Sequence, residues 1–182
     1  MTDHELVIAM KDPLQKKKVF EQLLNDYQKP IYYYVRRMVL DHDDADDVTQ
    51  NCFIKAWKAL EQFRGEAKLS TWLYRIAYNE SLSFIEKRKR LAGVSLDDLT
   101  EHLPSVLQKD ALFDGDEIEL KLQMALATLP EKQKAVFIMK YYQEKKYEEI
   151  AQITGTSVGA LKASFHIAVT KIENYIKVNN EW

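Results

Sequence analysis

YEEIAQITGTSVGALKASFHIAVTKIENYI, residues 147–176, is the stretch from which the fold can be read. Tyr147 to Ile153 carries a short helical pattern, and Val158, Leu161, Phe165, Ala168, Val169, Ile172 and Ile176 carry a longer one at 3.6-residue spacing. Between them stands Thr154-Gly155-Thr156, followed by Ser157, a residue type suited to cap a helix N-terminus. Two helices joined by a short Gly-bearing turn form a helix-turn-helix. Ile150, Ala151, Val158 and Leu161 are expected to lock the pair together. Such a unit places its second helix in a DNA major groove, with polar residues near that helix's start reaching base edges. Lys145 and Lys146, just ahead of Tyr147, are then placed to meet phosphates. A helical hairpin inside a bundle has the same pattern, so the segment alone leaves both readings open.

Working outward, Leu122, Ala125, Leu126 and Leu129 form another apolar stripe, stopped by Pro130, and a helix through Ala135, Val136, Ile138 and Met139 follows. Five Gly and four Pro in 182 residues favour helices over a turn-rich β fold. Charge divides the chain into three parts. Residues 1–90 carry a net +2, residues 91–119 a net −7 and residues 120–182 a net +3. The middle part holds Gly93, Pro104 and Gly115 and reads as an acidic, flexible linker between two small helical domains. The expected class is therefore all-α.

In residues 1–90, Val19, Phe20, Leu23, Leu24 and Tyr27 predict a first helix, and Pro30 is expected to open a second through Ile31, Tyr34, Val35 and Met38. A third helix is expected after the acidic cluster Asp43, Asp44, Asp46 and Asp47, with Val48, Cys52, Phe53, Ala56, Trp57 and Leu60 inward. Its polar face, which includes Asp46, Asp47, Gln50, Asn51 and Lys58, reads without context as a solvated surface. A polar loop, Arg64-Gly65-Glu66-Ala67-Lys68, precedes a fourth helix expected to be capped by Ser70 and ending in Lys87-Arg88-Lys89-Arg90. The loop and Trp72, Tyr74, Arg75, Tyr78 and Asn79 mix aromatic, cationic and amide groups, as single-strand-binding surfaces do. Aromatic residues on helices more often pack in cores, and that bland reading stands beside the functional one.

Several classes are disfavoured. The single cysteine, Cys52, permits no internal disulfide and fits a reducing cytoplasm. The four histidines lack metal-ligand spacing, and no nucleophile–base pair or phosphate-cradling Gly loop is present, so neither cofactor nor catalysis is expected. No apolar run is long enough to span a membrane, and the acidic start does not read as a secretory signal.

Two runs are recognisable together. DDADDVTQNCFIKAWKALEQFRGEAKLSTWLYRIAYN (43–79) resembles the second conserved region of extracytoplasmic-function sigma factors, and LATLPEKQKAVFIMKYYQEKKYEEIAQITGTSVGALKASFHIAV (126–169) resembles their fourth. Their order and the acidic spacer also match. The resemblance implies a protein that binds core RNA polymerase and directs it to promoters, with an anti-sigma factor as a further partner. It implies polymerase contacts from Asp46, Asp47, Gln50, Asn51 and Ile54. It implies a base of the minus-ten element held by Arg64, Gly65, Glu66, Ala67, Lys68 and Leu69, with Trp72, Arg75, Tyr78, Asn79, Lys87, Arg88 and the rest of the basic run along the melted strand. For the minus-thirty-five element it implies Lys146, Tyr147, Ser157, Lys162, Ala163, Ser164, His166 and Ile167. The family's linker threads the polymerase cleft, where a net −7 segment can stand in for RNA charge. Ser164 and Ile167 replace arginines common in the family, and Ser83 an aspartate, so the minus-thirty-five contact is expected to be weaker or differently read. A helix-turn-helix regulator acting without polymerase and a polymerase-binding adaptor are the alternative readings.

Overall fold

A computed structural model describes residues 2–93 and 116–179. Most of the acidic linker, and with it the proposed RNA-like role of that segment, lies outside the described residues. The first four helices are α1 (Asp3–Ala9), α2 (Pro13–Val39), α3 (His42–Ala59) and α4 (Leu69–Ala92), with a 3₁₀ turn over Leu60–Gln62.

The break expected at Pro30 is absent. One helix, α2, runs through it. Proline removes an N–H and crowds the preceding turn, at about 3 kcal/mol in a helix interior. The apolar stripe nevertheless stays in phase across it, and Leu23, Ile31, Tyr34, Val35 and Met38 are all buried. At ~1.5–3 kcal/mol for each large side chain, continuity outweighs the defect. The helix stops where Leu40 adopts φ 72° and its N–H closes on the Arg36 carbonyl. Asp41 then caps α3, accepting from the Asp44 N–H at 3.0 Å. The acidic cluster is thus the first turns of α3 rather than a prelude to it. Nor does Ser70 cap α4, which begins at Leu69 with Lys68 at the N-cap position and no side-chain capping bond.

The C-terminal helices are α5 (Glu117–Ala127), α6 (Glu131–Phe137), α7 (Tyr147–Thr154) and α8 (Val158–Val178), with a π turn over Ile138–Tyr142. Ala125, Leu126, Leu129, Phe137, Ala168 and Ile172 form the local core. The linker boundaries read from composition differ slightly from the helices, since Leu91 and Ala92 continue α4 and Glu117 starts α5.

The two helical groups dock. Helix α7 packs along α4, and α6 and the π turn meet α2. Ala135, Val136, Ile138, Met139, Ile150, Ile153 and Leu161 share one buried cluster with Tyr34, Met38, Leu73, Tyr74, Ala77 and Tyr78. Polar contacts fix the seam. The Lys134 ammonium donates to the Met38 carbonyl at 2.8 Å, in the last turn of α2. Lys89 pairs with Glu131, the Arg37 guanidinium lies 3.8 Å from the Tyr142 ring centroid, and the Lys145 amine lies 3.7 Å from that of Tyr74.

Candidate functional site

In the helix-turn-helix, the Gly155 N–H closes on the Ala151 carbonyl at 2.8 Å, and Gly155 takes φ 73°, a left-handed conformation open to glycine without strain. The Ser157 hydroxyl accepts from the Ala160 N–H at 3.3 Å, so this residue serves as the expected cap and its oxygen is already engaged. Ile150, Ile153 and Leu161 are buried between the two helices. Phe165 faces inward, stacked on Phe137 with centroids 5.8 Å apart. That inward register turns Lys162, Ala163, His166 and Ile167 to solvent and leaves Ser164 half-buried. Lys146 is exposed, while Tyr147 is half-buried, edge-on to Phe165 and 5.8 Å from the Lys162 amine. The positions expected to read a duplex thus lie together around the start of α8, apart from Tyr147, whose ring serves the packing.

On α3, Ala45, Val48, Cys52 and Ala56 face the core. Asp46, Asp47, Gln50, Asn51 and Ile54 are consequently exposed and share the outer half of the helix. Burial pushes the Cys52 thiol up to about 12, which keeps it protonated and unreactive. Gln50 and Ile54 also line an apolar depression with Phe20, Leu24, Phe53 and Trp57.

The loop expected to hold a base leaves Phe63, which is buried and edge-on to Trp72 at 5.7 Å. Arg64, Glu66 and Lys68 project outward, and Gly65 takes φ 71°. Along α4, Arg75, Asn79 and Lys87 are exposed. Two of the expected contact residues have partners within the docked chain. Tyr78 is only 6% exposed and belongs to the shared core, because it follows Tyr74 by one helical turn on the face covered in the docked state. Arg88 donates to Asp44 at 2.8 Å, tying α4 to the start of α3. Trp72 is half-buried between two apolar clusters. Desolvation raises the carboxyl of Asp44 despite that arginine.

Sequence reading missed α1. Thr2 and Glu5 form a capping box, with Glu5 N–H donating to the Thr2 hydroxyl at 3.2 Å and Thr2 N–H to the Glu5 carboxylate at 2.7 Å. That Thr-x-x-Glu spacing, with Leu6, Val7 and Met10 behind it, was the available signal. Among the described residues no group of His, Cys, Asp or Glu is placed to hold a metal, and no helix is long and apolar enough to cross a membrane.

Comparison with known proteins agrees with this geometry. Residues 23–91 match the family model for sigma-70 region 2, and residues 119–172 that for sigma-70 region 4. The chain is 31% identical to the ECF RNA polymerase sigma-E factor of Haemophilus influenzae, over 97% of this chain and 96% of that one. It is 30% identical to the RNA polymerase sigma-H factor of Pseudomonas aeruginosa, over 88% of each, and 32% identical to the ECF sigma factor SigW of Bacillus subtilis, over 81% and 83%. Its fold is similar to that of CnrH in complex with the cytosolic domain of CnrY, with a TM-score of 0.70 at 21% identity over 97% and 98% of the chains. It is also similar to the sigma factor RpoE in complex with the anti-sigma factor NepR from Bartonella quintana, with a TM-score of 0.69 at 24% identity over 89% and 99%. The two matched regions stand in order, each on the helices where the residues required it, and the chain belongs to the extracytoplasmic-function sigma factors of the sigma-70 family.

Proposed function

We propose that this chain works by binding alone. It seats the outer face of α3 on core RNA polymerase, holds a minus-ten base in the Arg64–Lys68 loop, and reads a minus-thirty-five element with Lys162, Ala163, Ser164 and His166. The observation that carries this is the pairing in one chain of an exposed cationic loop ahead of α4 with an exposed, correctly capped recognition helix. Opening DNA loses stacking worth about 1.4 kcal/mol per base-pair step, and stacking a captured base on protein returns about 1–3 kcal/mol. A base-holding loop beside a basic helix therefore tips melting once polymerase has positioned the duplex. No chemical step is involved, and the place of work is the cytoplasm, where polymerase is.

The docked arrangement fits a resting state. Minus-ten and minus-thirty-five elements are about 25 base pairs apart, or roughly 85 Å at about 3.4 Å per pair. A compact chain of this length is only roughly 40 Å across. The modules must part to reach both elements, which uncovers Tyr74 and Tyr78 for the melted strand. An anti-sigma factor is the partner expected to hold the closed form. The test compares promoter DNA binding by the chain alone and with core polymerase. Weak binding alone and sequence-selective binding with core are expected, whereas tight operator-like binding by the free chain overturns the proposal.

A further inference from the structure

The base-holding loop is not freestanding. Helix α1 lies against it at Gly65. A Cβ placed on Gly65 would come within 3.2 Å of the Val7 Cγ2 methyl and 3.4 Å of the Asp3 carbonyl oxygen. Met10, Val19, Leu60 and Phe63 form a small buried cluster beneath, with Leu6, Val7, Leu69 and Trp72 packed around it. The Phe63 N–H donates to the Leu60 carbonyl at 3.2 Å, anchoring the loop's first residue to the 3₁₀ turn. The tip points the other way, since Arg64 and Glu66 are 81% and 79% exposed. The loop therefore has a seated base and a solvent-facing tip, and α1 supplies one wall of the seat.

We propose that α1 is a positioning element for minus-ten recognition, in which Val7 and the Asp3 carbonyl hold Gly65 in place so that the Arg64–Lys68 tip meets an unpaired base in one conformation. This rests on the reading that the loop holds such a base. Val7 is a positioning residue, because it acts through Gly65 and touches no DNA itself. The physical reason is preorganisation. A loop fixed beforehand does not lose backbone freedom when the base enters. Gly65 is required twice over, by its positive φ and by the space Val7 leaves. The acidic, boxed start of α1 contributes by keeping a seven-residue helix formed that would be marginal in isolation.

The test uses the full chain with purified core polymerase and a fork-junction DNA pool randomised in its single strand, followed by sequencing of the bound fraction. Wild type is expected to prefer one base strongly at one position. Val7→Ala and Met10→Ala should flatten that preference roughly tenfold, the scale of about one residue's ordering. Total binding of the pool and affinity for core should stay within about twofold, because phosphate contacts are untouched. Val7→Ile should retain the preference. An unchanged preference in folded Val7→Ala and Met10→Ala overturns the proposal, as does a uniform loss that extends to core affinity. Glu66→Ala with Lys68→Ala separates the underlying reading. If that loop variant leaves the preference intact, the loop does not hold the base, and the role of α1 falls with it.

Discussion

If α8 reads the upstream element as proposed, Lys162 is the side chain placed to discriminate there. It is exposed one turn into α8, beside Ala163 and His166, and neither Ser164 nor Ile167 nearby brings a guanidinium. With fewer guanidinium forks on the helix, the remaining amine carries a larger share of discrimination. Lys162→Ala is expected to weaken selectivity at the upstream element by about 1–3 kcal/mol if the amine meets a base edge. Competition binding between the preferred element and single-base variants measures this, and an equal loss on every sequence would make Lys162 a phosphate contact. Asp47→Ala with Gln50→Ala belongs to the same scale. Both side chains are exposed, so stability should move by less than about 0.5 kcal/mol. Association with core should fall at least about tenfold, corresponding to ~1.4 kcal/mol. Unchanged core affinity removes this face of α3 from the interface.

At the scale of elements, α2 gives the sharpest prediction. Pro30 sits inside a continuous helix whose apolar stripe overrides it. Pro30→Ala should stabilise the chain by about 1–3 kcal/mol in urea unfolding. Destabilisation would instead show that the seam needs the proline's geometry, since the Pro30 carbonyl accepts from the Gln143 amide at 3.4 Å. This element also shows where sequence reading stops. The helix-turn-helix was legible because Gly155 and Ser157 act through local rules, a left-handed residue and a capping hydroxyl. The faces of α3 and α8 were legible because 3.6-residue periodicity assigns inside and outside together. Pro30 was misread because its local penalty competes with a tertiary gain that no window of sequence contains. The burial of Tyr78 in the docked arrangement is equally beyond any window of sequence, since it comes from a helix some seventy residues later in the chain. Arg88 likewise finds Asp44 only because α3 and α4 lie side by side.

For the whole molecule, the seam between the helical groups is what must open in the proposed cycle. Docking buries Lys134, and desolvation pushes its ammonium down to about 8 although Glu131 opposes the shift. Lys145, over Tyr74, is lowered for the same reason. Below pH 8 Lys134 remains charged in both states, and its desolvation penalty opposes docking in full. Between about pH 8 and the ordinary lysine value of 10.5 the open form binds more protons, so docking strengthens as pH rises. Small-angle scattering should show the mean radius of gyration falling over that window as the open fraction shrinks, with the response reduced in Lys134→Met. A radius that rises there contradicts the assignment. The central claim, that two helical readers in one chain turn core polymerase toward promoters, is tested most directly by run-off transcription. Purified core polymerase, genomic promoter fragments and this protein should yield discrete transcripts that share an upstream sequence and disappear without the protein. Absence of both binding to core and specific transcripts would contradict the account.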